Sequence, residues 1–177
     1  NFKGHISFVK VGKKGEMDLA FQIVTPGVNF DLSHAGKGKS HGWFFFSCYN
    51  TEQANTLLEV NASQKDKDFI MAVNWKKAEE YIKAGKGIKQ KARYAHNTWD
   101  EKTHTAKSEI KTDVLVLDAA ALKDICYMIP CPKSPHGCDV DPTGEYIVGS
   151  GKLAALIPVF SFDKLMGAIK DKKFDGN

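Results

Sequence analysis

Three stretches of the chain repeat one unit: an apolar strand, then asparagine or aspartate, then a short helical turn with a polar face. They read FIMAVNWKKAEEYIKAGK, TDVLVLDAAALKD and LIPVFSFDKLMGAIKD, with Asn74, Asp118 and Asp163 spaced 44 and 45 residues apart. Such a unit cannot bury its apolar strand alone. Small-strand units at a period of roughly 40–50 residues are the pattern of β-propeller blades. A coincidence among the strands of a β-sandwich is the competing reading. The expected fold is all-β: a partial β-propeller of about three to four blades with short helical insertions. A propeller closes its ring with roughly four to eight blades, and an open arc exposes apolar faces. The chain is therefore expected to be part of a larger ring or to pair with another chain. Its start at Asn1 rather than methionine fits a processed or excised piece.

Local signals fill in the order of elements. Phe2 to Val11 and Asp18 to Thr25 read as strands separated by a Gly-Lys-Lys-Gly turn, and Pro26-Gly27 ends the second. Asp31 to Gly42 is rich in glycine, lysine and histidine and reads as a loop. Trp43 to Cys48 is a dense aromatic strand, and Asn50 to Val60 reads as a helix capped by Asn50 or Thr51. Phe69 to Val73 is a buried strand, and the helix Trp75 to Lys83 stops at Gly85. Gly87 to Glu109 reads as a long polar loop with room for extended structure. Asp113 to Leu117 is a strand and Ala119 to Asp124 a turn. Gly144 to Val148 and Ala155 to Phe162 read as two antiparallel strands, and Asp163 to Lys173 closes the chain as a helical or irregular tail.

Composition excludes several function classes. The 25 basic and 21 acidic residues are interleaved, and Arg93 is the one arginine. Bidentate recognition of bases or phosphates relies on arginine, so a nucleic-acid partner is not expected. No run approaches about eighteen consecutive apolar residues, so no membrane-spanning helix is expected. No Gly-x-Ser-x-Gly, His-Glu-x-x-His or phosphate-loop pattern occurs. Cys48, Cys126, Cys131 and Cys138 form no CxxC pair, and their spacing fits neither a zinc finger nor an iron–sulfur site. Buried free thiols are the reading of choice. A disulfide from Cys126 to Cys131 or Cys138 stays open if the compartment is oxidising.

Two constellations carry chemistry. His136 lies between Pro135 and Gly137 in CPKSPHGCDVDPTGEYIVGSGKL. Proline restricts Ser134 and fixes its own φ, while Gly137 permits a close approach or a positive φ. The pair is expected to present the imidazole from a stiff turn just before a strand. His41-Gly42 echoes it and is a weaker candidate for the same channel. The other histidines show no ligand spacing. The second constellation is rich in oxygen: Tyr49 and Glu52, then Asp66 and Asp68, suit a hard cation such as Ca²⁺, although nothing matches an EF-hand loop.

PCPKSPHGCDVDPTGEYIVGSGKL and FFFSCYNTEQANTLLEV together resemble nitrous-oxide reductase, in the Pro-Lys-Asn-Pro-His-Gly and Cys-Tyr-Asn-x-Glu blocks of that family. The resemblance covers most of Phe21 to Lys170, strongly in the two blocks, which come in the family's order, and loosely in the lysine-rich loop. It implies a periplasmic copper enzyme that reduces N2O to N2 and water with two electrons and two protons. It implies a seven-bladed propeller whose tetranuclear copper–sulfide centre is held by seven histidines. It also implies a cupredoxin domain with a dinuclear copper centre, a homodimer, and an electron donor such as cytochrome c or a cupredoxin. On this resemblance residues 1–177 are a fragment of the propeller, and the cupredoxin domain lies outside the chain. His136 is the matching copper ligand and catalytic residue. Tyr49, Glu52, Asp66 and Ser134 match the calcium site, with Asp68 the alternative to Asp66. Ser134 stands where the family has asparagine, and Val60 where a methionine is expected. The family's double-histidine cluster is missing, so the fragment alone is not expected to be active.

Overall fold

The computed structural model describes residues 4–25, 29–49, 68–92, 97–108, 112–132 and 134–173. Among them the chain is mostly strand, with only two short α-helices, and the all-β expectation holds. A first sheet joins β1 (His5–Val11), β2 (Met17–Val24), β9 (Asp113–Asp118) and β6 (Ile88–Lys91), in that spatial order. A second runs from β10 (Cys126–Pro130) through β5 (Phe69–Asn74) and β4 (Trp43–Tyr49) to β3 (Asn29–Ala35). A third holds β11 (Pro135–Val140), β12 (Tyr146–Gly151) and β13 (Val159–Ser161). The strands β7 (Asn97–Asp100) and β8 (Thr105–Ser108) pair as a separate hairpin.

The three sheets stack through two cores, and the alternation along β5 shows how. Met71 and Val73 point into a core with Phe21, Ile23 and Leu117 of the first sheet. Ile70 and Ala72 point the other way, to Val140 and Ile147 of the third. A strand buried on both faces must be apolar at every position, which is why FIMAV runs unbroken. β4 divides likewise: Phe44 and Phe46 face the first core and Phe45 the second. Stacked sheets of this kind are compatible with successive propeller blades, and each repeat strand lies in a different sheet: β5 in the second, β9 in the first, β13 in the third. Sequence order is not spatial order, because the chain leaves the first sheet after β2 and returns to it with β6 and β9, β9 pairing parallel to β2.

Helices follow two of the three repeat strands. α1 (Trp75–Lys83) is capped by the Asn74 side chain, which accepts from the Lys77 N–H at 3.0 Å, and it turns Tyr81 and Ile82 to the first core. The chain turns out of α1 at Gly85, whose φ of +73° only glycine adopts freely. α2 (Phe162–Lys170) buries Phe162 and Leu165 in the second core. Its cap is Ser161, accepting from Lys164 N–H at 3.2 Å, so the third repeat is anchored two residues before Asp163. Asp118 caps a turn instead, accepting from the Ala120 N–H.

Several expectations need correction. The supposed loop from Asp31 to Gly42 begins as β3, whose alternation of Phe30 and Leu32 with polar neighbours is a strand pattern masked by the glycines and lysines after Ala35. The polar stretch from Gly87, read as a loop with room for extended structure, does carry such structure, as β6, β7 and β8. β13 covers only Val159–Ser161 of the strand expected from Ala155 to Phe162, and β12 extends through Gly151. The helix expected over residues 50–60 lies outside the described residues. All four cysteines are buried free thiols, as expected.

Candidate metal site at the seam of two sheets

β3 is the outer strand of the second sheet and β11 that of the third, and they lie against each other without ladder pairing. His136 is the second residue of β11, so it projects from a strand and not from a turn before one. Of the two roles open to Gly137, a positive φ is not used: the left-handed backbone lies at Ser134, at φ 54°. A Cβ on Gly137 would meet only ordinary contacts with Leu32 and Ser150, so no close approach demands glycine there. The strained position is thus a buried serine, at a conformation asparagine and glycine tolerate better.

Asp68 holds that strained serine in place. Its Oδ2 accepts the Ser134 N–H at 2.6 Å, and its carbonyl accepts the Cys131 N–H at 3.0 Å. The Ser134 carbonyl in turn accepts from Lys152 N–H. Cys48 of β4 pairs with Phe69 of β5, so Tyr49 and Asp68 are the next residues along the two strands. Of the sequence candidates, Asp68 and Ser134 are thus in direct contact, Tyr49 ends the neighbouring strand β4, and His136 lies two residues past Ser134. Glu52 and Asp66 lie outside the described residues; Asp68 stands beside Ser134. His41 is accounted for differently: its ring packs edge-on against Trp75 at 5.6 Å.

The His136 side chain is 57% exposed and opens on a groove lined by Ser150, Lys152 and residues 154–157. Its Nε2 lies 3.7 Å from Asp31 Oδ2, a buried carboxylate oxygen with no hydrogen bond among the described residues. Sequence reading missed Asp31 because it fell in the supposed loop. Alternation along NFDLSHA was the signal available. Cys131 and Cys138 flank the loop, but burial pushes their thiols up to about 12 and about 11. They are held as neutral thiols, whereas a metal takes a thiolate.

Two kinds of metal can be tested against these donors. A calcium ion takes hard oxygens, and the buried Asp68 carboxylate beside Ser134 is one such donor. An accessible imidazole fits copper, but among the described residues no three His, Cys, Asp or Glu side chains converge. His136 can supply one ligand of a copper centre and needs further ligands from outside its own neighbourhood.

Fold and seam define an all-β protein of stacked sheets with a histidine presented at a sheet edge beside a buried carboxylate. Within that class the chain is similar to nitrous-oxide reductase. It is 28% identical to the enzyme of Pseudomonas fluorescens over 162 residues, and 27% identical to that of Stutzerimonas stutzeri over 161, each covering 90% of the chain. The family resemblance read from the two sequence blocks thus extends over nine-tenths of the chain. The chain spans 22% of the length of these curated relatives. No family model matches it.

Proposed function

We propose that the chain forms part of the seven-bladed propeller of a periplasmic nitrous-oxide reductase, and that His136 is one ligand of its tetranuclear copper–sulfide centre. The similarity to two such enzymes across 90% of the chain carries this reading. The seam supports it, because it sets the imidazole at an accessible strand edge. In the assembled parent the copper centre would accept two electrons from a cytochrome c or cupredoxin, by way of a second copper domain of the partner subunit in a homodimer, and reduce N2O with two protons to N2 and water. This chain's own residues have narrower tasks. Asp31 Oδ2 stands 3.7 Å from Nε2 of His136, and would orient the ring on closing to hydrogen-bond distance. Asp68 and Ser134, with Tyr49, Glu52 and Asp66, would hold calcium, fixing the loop just before His136.

The test is N2O-dependent oxidation of a reduced viologen dye by the full-length parent. Activity that disappears in His136→Ala while the protein stays folded is the expected result. A fully active His136→Ala enzyme would overturn the ligand assignment. A second reading has one observation in its favour: no group of three ligands converges among the described residues. On it the parent is a propeller-like binding or structural module without copper, and the dye stays reduced in both samples.

A further inference from the structure

We propose that His34 is a proton-operated tie between the second and third sheets: neutral, it accepts the Val140 N–H; protonated, it releases that amide and donates to Asp139. The inference concerns the seam alone and does not depend on copper.

The geometry sets two partners on one nitrogen. His34 Nδ1 lies 2.9 Å from Asp139 Oδ1 and 3.3 Å from the Val140 N–H. The amide needs a lone pair on Nδ1, and the carboxylate needs a proton there, so one nitrogen cannot serve both. β11 is an outer strand, and the Val140 N–H is directed out of its own sheet toward β3. A neutral ring with its proton on Nε2 therefore caps an otherwise open strand edge. A doubly protonated ring keeps only the bond to Asp139. The Asp139 side chain is 85% exposed, so it can swing into water whenever the ring turns its lone pair toward the amide. Imidazole is the side chain that makes this change between about pH 5 and 8.

Most other charged groups around the ring are engaged elsewhere. Asp31, on the same strand, faces His136. β4 opposes His34 with Phe45, flanked by Phe44 and Phe46, none of them charged. In the turn after β11, both Asp141 oxygens are engaged, by Thr143 and the Tyr146 N–H. Glu145 is bound by Lys39 and Ser161, and Lys39 also pairs with Asp163. Asp68, ahead of β5, serves Ser134. His136 on β11 is the other imidazole of the seam, and substitution of His34 alone distinguishes the two.

The test is residue-resolved amide exchange at Val140, by NMR on the full chain labelled with 15N-valine, at pH 8 and pH 5.5 without added metal. After correction for intrinsic exchange, protection should fall about five- to tenfold on acidification. In His34→Gln, which can accept the amide but gains no proton in this range, protection should be equal at both pH values. In Asp139→Asn, an exposed position where folding is not at risk, the loss should move to lower pH because the imidazolium has lost its anion. Equal protection at both pH values in the unsubstituted chain overturns the proposal. So does an unchanged fall in His34→Gln, or, if that variant does not fold, an unshifted transition in Asp139→Asn.

Discussion

The second and third sheets are built from similar parts and buried very differently. Among the described residues both run strand, strand, strand and then a capped helix: β3–β4–β5–α1 and β11–β12–β13–α2. The second is covered on both faces, and Phe45, Ile70, Met71, Ala72 and Val73 are all fully buried. The third is covered on one. Ile147 is buried, while Tyr146 and Val159 stand at least half exposed beside Leu156 and Ile157. The sequence of each sheet follows from this. Two covered faces demand continuous apolar runs, and one covered face demands alternation. The difference also locates the site: His136 belongs to the less covered sheet, where a strand edge remains open to ligands.

The comparison breaks most visibly in the cores. Phe45→Ala should cost about 3–5 kcal/mol, because a fully buried ring packed edge-on against Phe162 leaves a cavity. Tyr146→Ala on the open face should cost less than about 0.5 kcal/mol. Urea denaturation of both variants decides it, and equal losses would mean the third sheet is covered in solution.

Thiol reactivity probes both sides of the central sheet at once. Burial raises Cys126 and Cys131 to about 12 and Cys138 to about 11, and it raises Cys48 further. A thiol reagent at pH 8 should modify none of the four in the native chain, with rates suppressed about a hundredfold to a thousandfold, and all four after unfolding. Fast labelling of Cys131 or Cys138 alone would show the second core to be looser than the first.

Helix caps test the likeness of the two strand–helix units. Asn74→Ala and Ser161→Ala should each cost about 1 kcal/mol. The serine should cost the more, since its hydroxyl also donates to Glu145 at 2.6 Å. Asp163→Ala should cost less than either, because Asp163 is not the cap. Thermal unfolding of the three variants checks the order.

The smallest effect is acid sensitivity of the turn after β11. The Thr143 hydroxyl, with the N–H groups of Tyr146 and Thr143, depresses the Asp141 carboxyl to about 2. A depressed carboxyl contributes stability that is fully present above its unfolded value of 3.8 and is lost as pH falls toward 2. Asp141→Asn should flatten that limb of the stability profile, read by denaturation at pH 2 to 5.

Much of the fold was legible because burial writes itself into pattern. FIMAV, WFFFSC and VLVL announced three strands, and the repeat found one strand in each sheet. What escaped was non-local. Nothing in the sequence shows β6 and β9 returning to β1 and β2, since parallel pairing across a long crossover leaves no local mark. β3 escaped because its neighbours carry loop residues, and with it went Asp31 and His34, the two seam partners. The motif around His136 was legible, but which of its residues takes the left-handed backbone was not. Left-handed backbone at Ser134 is maintained by Asp68, a contact across 66 positions.

Copper and acid-labile sulfide content of the full-length parent, purified without air and compared with its His136→Ala variant, tests the central claim most directly. About four coppers per propeller with sulfide, lost or disrupted in the variant, is the result this account predicts. A folded, competently matured parent with no copper, or one whose copper and sulfide are unchanged in His136→Ala, would contradict it.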